Sequence, residues 1–406
     1  MTAEGYGTGC PRSGNGKAGA MAETGTYRRS LGLVELVSLG VGGTVGSGIF
    51  VVPGVAAKLS GPGSLIAWVI VALSASCVLY SLASVAYRFT PSSGFYALFE
   101  SVFGNRITVP LMILYTISSV FGVSTIAAGI GQYIGYFDLS PVLLIEIVLL
   151  ALFCGLNIAG IVFSGMTENI LTALKIIPLV LIALLLLPFV RPENFIQSAP
   201  LTAGGLLATV IIVYWPFTGF EISAIPVEET RDPLLIRRSL IFVMLIVVSL
   251  YIILNIALIG SVGAAALAAS PAPIATAAGT IFSRSGTLVA FIGIIAMLSA
   301  MNAYIIGTSR VIHSISRRFS VPLIKDLSRQ GTPAPALVLG CLASGLLLLF
   351  SNRFEALATI SVITNLVPYI FFCTAAWILV AETKVRIIAA TGILSTAAIL
   401  VIYFIV

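Results

Sequence analysis

Two short runs interrupt otherwise continuous apolar sequence, and both put backbone groups where chemistry can occur. The first is Gly40-Val41-Gly42-Gly43-Thr44-Val45-Gly46-Ser47-Gly48-Ile49-Phe50, with five glycines in nine residues. Glycine costs about 1 kcal/mol relative to alanine in a helix interior, so the run invites unwinding. The second is Tyr214-Trp215-Pro216-Phe217-Thr218-Gly219-Phe220-Glu221. Its proline removes a helix hydrogen bond, and its glycine loosens the next turn. Where a helix restarts after such a break, here around Ser47, Gly48 and Ile49, free N–H groups form a positive dipole end that suits a carboxylate. Carbonyls freed around Gly43 and Thr44, and near Trp215 and Thr218, suit an ammonium. A site offering both recognises a zwitterion of amino-acid type. Taken singly, each run has a plainer reading, close GxxxG-type packing between Gly42 and Gly46 and an ordinary proline kink.

Two ionisable residues stand out in this apolar setting. Lys175 lies within a long apolar stretch, where a charge is costly unless it faces protein or water, so it is a functional candidate by default. Snorkelling to the near membrane face is its alternative, because it follows Thr167 by only eight residues. Glu221 either ties the second run to neighbouring backbone or titrates. Glu228 and Glu229, with Arg231, Arg237 and Arg238, read as an ion-pair network in a loop. Glu35 and Glu146 have no motif behind them. The single histidine, His313, cannot build a multi-histidine metal or haem site. The five cysteines show no CxxC spacing, and four sit inside apolar runs as small packing residues.

The elements that must position these residues are membrane helices. The chain has 406 residues, of which 59% are apolar and 9% charged, with mean hydropathy +1.12. A soluble globule carries about 25% charged residues. The few charges cluster between apolar stretches of about 20 residues, the length that crosses a bilayer. Eleven spans result, roughly 32–58, 64–88, 109–136, 142–162, 167–189, 206–226, 239–262, 286–311, 335–350, 357–380 and 385–406. The eighth is expected to run on as helix through Arg318. Sixteen basic residues fall on one side of this map. Four (Lys58, Arg191, Arg284 and Arg353) fall on the other, and Lys175 lies within a span. Such asymmetry predicts a cytoplasmic N-terminus and, with an odd span number, an outward C-terminus. The formal charge of +6 is explained by the same rule and needs no nucleic-acid partner. Residues 1–30 read as a flexible cytoplasmic tail, and Met21 opens a stretch that would serve as a natural start. The two breaks fall in spans one and six, corresponding positions if spans one to five and six to ten are two repeats of opposite orientation. Paired broken helices of that kind point to a midplane binding site.

At these residues the sequence resembles the amino acid–polyamine–organocation family of permeases. The matching segments are GTVGSGIFVVP (Gly43–Pro53), ENILTALKIIP (Glu168–Pro178), FTGFEISAIPVEETRDP (Phe217–Pro233) and NAYIIGTSRVIHSISRRFSVP (Asn302–Pro322). The resemblance covers about Leu31 to Val380 plus one further span. It implies an all-α polytopic membrane protein with a LeuT-type five-plus-five inverted repeat and one additional C-terminal helix. Residues 31–190 would form the first repeat, 204–380 the second and 381–406 the eleventh helix. Most relatives have twelve spans, which leaves the role of a twelfth open.

Carried over by position, Gly46, Ser47 and Gly48 look like the carboxylate cradle. Thr44 and the segment from Trp215 to Gly219 look like the amine and side-chain contacts, with Trp215 and Phe217 as aromatic gates. Tyr304 falls where relatives place a pocket-lining aromatic, and Ile117, Ser118 and Gly122 would line the side-chain end. Plain helix packing accounts equally well for these last four. The resemblance places Lys175 where sodium-driven relatives bind sodium, with its ammonium near the carbonyls of the broken first helix. Lys175 and Glu221 are then the coupling candidates.

The expectation is a secondary active transporter of amino acids in the plasma membrane. It would work by alternating access, independent of sodium and coupled to protons, with neutral amino acids favoured and no metal or cofactor. An exchanger or facilitator, a polyamine or cationic amino-acid carrier, and a transporter-like sensor or complex subunit stand beside it. The sequence has no HExxH, no paired catalytic carboxylates and no GxxxxGK[ST] loop to support an enzyme or an ATP-driven pump.

Overall fold

A computed structural model describes residues 31–86, 94–160, 165–196, 201–224, 230–232, 234–283, 285–328 and 331–405. The expected N-terminal tail, and Glu228 and Glu229 of the expected loop network, lie outside these residues. The described chain is helical: α1 (Leu33–Thr44), α2 (Ser47–Ser60), α3 (Ser64–Ala86), α4 (Gly94–Phe103), α5 (Asn105–Gly135), α6 (Val142–Ile158), α7 (Gly165–Leu186) and α8 (Ala203–Tyr214) come first. After two short 3₁₀ turns follow α9 (Leu234–Val262), α10 (Ala264–Ala268), α11 (Pro273–Ile281), α12 (Ser285–Arg318), α13 (Ala334–Phe350), α14 (Phe354–Leu379) and α15 (Thr383–Ile405). Among the described residues the sole β-type pairing is an isolated bridge between Leu31 and Thr230.

Among the described residues eight helical stretches are long and apolar enough to cross a bilayer, and the first of them, Leu33–Ala86, contains both the first and the second expected spans. α6 and α13 are shorter apolar helices of 17 residues each. At 1.5 Å per residue they reach about 26 Å, just short of a hydrocarbon core of about 30 Å. Large apolar side chains such as Leu73, Leu144, Leu184 and Leu394 are exposed along the outer faces of α3, α6, α7 and α15. A lipid-facing surface accounts for them, because hydrocarbon is the one solvent in which such faces cost nothing. As expected, α12 runs without interruption to Arg318. The eleven-span map has no element between 262 and 286, where the structure has α10 and α11. Those helices are too short and alanine-rich to show a span, and they bury Leu267, Ile274, Ala275 and Ala277 beside α2.

Both expected interruptions are present. α1 ends at Thr44; Val45 leaves the helical region at φ −84° and ψ 86°, and Gly46 is extended at φ −140° before α2 begins. α8 ends at Tyr214 and gives way to a 3₁₀ turn over Trp215–Phe217, an extended Thr218 and a second 3₁₀ stretch over Phe220–Ala224. Gly219 between them has φ +90°, which side-chain-bearing residues rarely adopt, so this glycine is what lets the chain turn there. By contrast α5 is continuous for 31 residues and packs along both α12 and α14.

Candidate functional site

The two breaks meet each other. The Tyr251 hydroxyl of α9 lies 2.9 Å from the Thr44 carbonyl and 3.1 Å from the Pro216 carbonyl, so one donor spans both interruptions. A Cβ on Gly48 would stand 2.5 Å from the Pro216 Cα, which shows how closely the start of α2 approaches the second break. The first-turn amides of α2, at Ser47, Gly48 and Ile49, have no acceptor within their own helix. Ser47 Oγ accepts a hydrogen bond from Trp215 Nε1 at 3.3 Å. Thr218 Oγ1 donates to the Trp215 carbonyl at 2.8 Å and lies 3.1 Å from the Tyr304 hydroxyl. The Trp215 and Tyr304 rings are 5.9 Å apart, and a Cβ on Gly122 of α5 would meet Tyr304. Gly43, Thr44, Gly46, Ser47, Gly48, Ile49, Trp215, Thr218, Gly219, Gly122 and Tyr304 are therefore one neighbourhood, all buried, where α1, α2, α5, α12 and the second break converge.

Two expected lining residues lie apart from Trp215, although Phe217 does share a cleft with Thr44. Phe217 does not join Trp215 over a shared site; its ring packs on Trp68 and Tyr251, at centroid distances of 6.0 and 5.2 Å. The 3₁₀ turn separates successive side chains by about 120°, which sends residues two apart to different sides. Ile117 is 39% exposed on the outer face of α5, one position away from the buried Ser118. Ser118 does line a cleft with Tyr115, Ser119, Glu221, Tyr304 and Asn365. Its hydroxyl, however, is already committed to the Ser361 carbonyl of α14 at 2.8 Å.

Lys175 is completely buried. Its Nζ donates to the Gly42 carbonyl at 2.7 Å and to Ser299 Oγ of α12 at 3.1 Å. One turn earlier on the same face of α7, Thr172 donates to the Ser38 carbonyl at 3.0 Å. The ammonium thus joins the unwinding end of α1 to α7 and α12, and it does not snorkel. Glu221 is also buried and accepts from four neutral donors. Gly219 N and the Tyr369 hydroxyl reach Oε2 at 3.1 and 2.8 Å, and the Tyr115 hydroxyl and Asn365 Nδ2 reach Oε1 at 3.2 and 3.3 Å. Four donors suit an ionised carboxylate, which only accepts.

Sequence reasoning missed Tyr251, Tyr115, Asn365 and Tyr369. Their signal was present: each is a polar-tipped side chain inside an apolar span, where an unpaired hydroxyl or amide is costly and must find a partner.

A family model described as amino acid permease matches residues 31–406. The branched-chain amino acid permease BcaP of Bacillus subtilis is 26% identical over 335 residues, covering 76% of this chain and 72% of that one. The inner membrane transport protein YbaT of Escherichia coli is 25% identical over 354 residues, covering 84% and 82%. Cationic amino acid transporter 9 of Arabidopsis thaliana is 29% identical over 308 residues, covering 67% and 51%. Among solved structures, MhsT in complex with L-phenylalanine superposes with a TM-score of 0.69 at 14% identity, covering 94% of this chain and 99% of that one. That likeness gives the fold, the LeuT type of five-plus-five inverted repeats. With the permease model matched along nearly its whole length and the two helix breaks meeting at one buried site, this chain belongs to the amino acid permease family, transporters rather than enzymes.

Proposed function

We propose that the protein carries neutral amino acids across the plasma membrane by alternating access, coupled to protons and independent of sodium. The observation that carries the reading is the Lys175 ammonium, 2.7 Å from the Gly42 carbonyl and fully buried. A fixed cation between α1 and α7 supplies the positive charge that, by the resemblance, sodium supplies in sodium-driven relatives. Burial disfavours the ammonium and carbonyl dipoles favour it, so a change in the wetting of this seam shifts the balance and moves a proton. Proton loss removes the charge that holds the broken helix to α7 and α12, leaving a neutral amine with weaker hydrogen bonds, and the helices are freer to move. The substrate carboxylate takes the amides of Ser47, Gly48 and Ile49, and its ammonium takes carbonyls at the breaks. Relatives' names point to both branched-chain and cationic substrates, so the pocket chemistry decides. The acidic side chain nearest the breaks, Glu221, is already occupied by four donors, which leaves a cationic side chain without an acidic partner there.

The basic-residue asymmetry supports a cytoplasmic N-terminus and, with eleven spans, an outward C-terminus. A reporter fluorescent only in the cytoplasm, fused after Val406, is expected to stay dark. The coupling is tested by uptake of a panel of radiolabelled amino acids into liposomes under imposed pH or sodium gradients, with wild type and Lys175→Ala. Uptake is expected to follow the pH gradient in wild type and to lose that dependence in Lys175→Ala. Uptake that follows sodium and survives the substitution overturns the coupling. Absence of both uptake and counter-transport favours a sensor.

A further inference from the structure

Among the described residues two acidic side chains are buried, Glu221 and Glu146, and their surroundings are opposite. Glu221 accepts from four donors. Glu146, 2% exposed on α6, has an Oε2 that is shielded from solvent and makes no hydrogen bond. Its Oε1 lies over Gly131 of α5, in the space a Cβ on that residue would fill. The glycine notch receives Oε1, and Oε2 is left buried without a donor. An ionised carboxylate in an apolar seam without donors is far costlier than a neutral acid, and a membrane-embedded acid is by default a functional group.

The elements packed on α6 are α5, α12 and α13. α13 carries Cys341 as its one ionisable residue, and α12 carries none from Ser285 to Ala303. In the half of α5 that holds Gly131 there is Tyr133, whose hydroxyl donates to the Phe50 carbonyl, and Tyr136 follows the end of the helix. The connection before α6 carries the exposed Asp138, and α6 itself carries Cys154 further on. None of these is a cation. Glu146 follows the start of α6 at Val142 by four residues, about 6 Å along the axis, and residues 138–141 are exposed.

We propose that Glu146 is a proton-binding site in the seam between α5 and α6, separate from Lys175 and in exchange with the aqueous phase at the connection that precedes α6. It is also a modification site for hydrophobic carbodiimides, which react with neutral carboxylic acids. The acid's proton passes to one carbodiimide nitrogen and its oxygen bonds to the central carbon. The O-acylisourea so formed rearranges to a stable N-acylurea, and nothing leaves or is oxidised.

The test uses the full chain in liposomes, treated with dicyclohexylcarbodiimide across a pH series and mapped by peptide mass spectrometry. An adduct on Glu146 and none on Glu221 is expected, with the yield falling as the pH of the medium rises. Labelling that ignores the pH of the medium overturns exchange with water. Infrared spectra of wild type and Glu146→Gln provide a readout independent of reagent access. The wild type is expected to show a protonated-carboxyl C=O stretch that weakens as pH rises and is missing from Glu146→Gln. Identical protonated-carboxyl absorbance in the two proteins overturns the assignment whatever the labelling shows.

Discussion

The broken segments and the helices α5, α13 and α14 draw on the same residues, glycine and serine among large apolar side chains, yet they use their backbones in opposite ways. At the breaks, glycine and proline release amides and carbonyls, and the released groups are met by side chains from other helices. Tyr251 spans Thr44 and Pro216, and Lys175 holds Gly42. Along α5 the helix stays intact, and serine hydroxyls add bonds between helices. Ser118 and Ser361 each donate to the other's carbonyl at 2.8 Å. Ser124 donates to the Ser344 carbonyl at 3.0 Å, and Ser344 returns a bond to Val120 at 3.1 Å. The first arrangement leaves backbone groups for a ligand, and the second clamps α5, α13 and α14 into a frame. Substitutions at the breaks are therefore expected to act on uptake more than on stability, and substitutions in the frame the reverse.

Gly48→Leu gives the largest effect. The new side chain must enter the space held by Pro216, displacing the start of α2 from the second break. A misplacement of about 1 Å can cost about 100-fold, so uptake at or below the detection limit is expected. A folded, monodisperse variant by size-exclusion chromatography separates this from misfolding. Ser47→Ala removes only a 3.3 Å bond from Trp215 and keeps the backbone donors, so a loss of a few-fold is expected. Equal losses for the two variants would mean that the side chain, not the amides, binds the substrate.

Glu221→Gln probes the joint between the two regions, since this residue of the second break is held by α5 through Tyr115 and by α14 through Asn365 and Tyr369. The amide NH₂ opposes two of the four donors, and leaving buried donors unmet costs about 1–3 kcal/mol. A lower unfolding temperature in detergent is expected together with slower uptake. Unchanged values for both would break the comparison at its hinge.

Those features also mark what the sequence made legible. The glycine run, the Trp215–Gly219 segment and Lys175 were readable because each breaks a local rule of membrane helices, and a broken rule shows without knowledge of its neighbours. Which way Phe217 and Ile117 face is not legible in the sequence, because facing depends on the local helical twist, which a 3₁₀ turn or an error of one residue changes. The side-chain partners of Glu221 lie about 100 to 150 positions away in the chain, and no periodicity links Tyr115 or Tyr369 to it. Short buried pieces such as α10 and α11 are hidden for another reason, since they follow from the shape left open by their neighbours.

Tyr251→Phe sharpens the comparison at intermediate size. It deletes a hydroxyl that reaches both breaks while keeping the ring contacts with Trp68 and Phe217. A loss of about 1 kcal/mol is expected, equivalent to about fivefold if all of it falls on the transporting conformation. Initial rates of uptake, compared with the unfolding temperature, show where it falls. A fall in unfolding temperature with no change in rate would move Tyr251 into the frame.

The smallest effect is expected from Ser361→Ala. It removes one of the two reciprocal bonds between α14 and α5, while Ser118 keeps its own bond to the Ser361 carbonyl. Hydrogen bonds between membrane helices average about 0.6 kcal/mol, because a helix separated from its partner finds other acceptors in the bilayer. The hydroxyl can also be removed without stranding an acceptor, since the Ser118 carbonyl keeps its bond within the helix. A slight lowering of the unfolding temperature with an unchanged uptake rate is therefore expected. If Ser361→Ala slows uptake as much as Tyr251→Phe, then α5 and α14 separate during the cycle, and the clasp belongs to the moving part of the molecule.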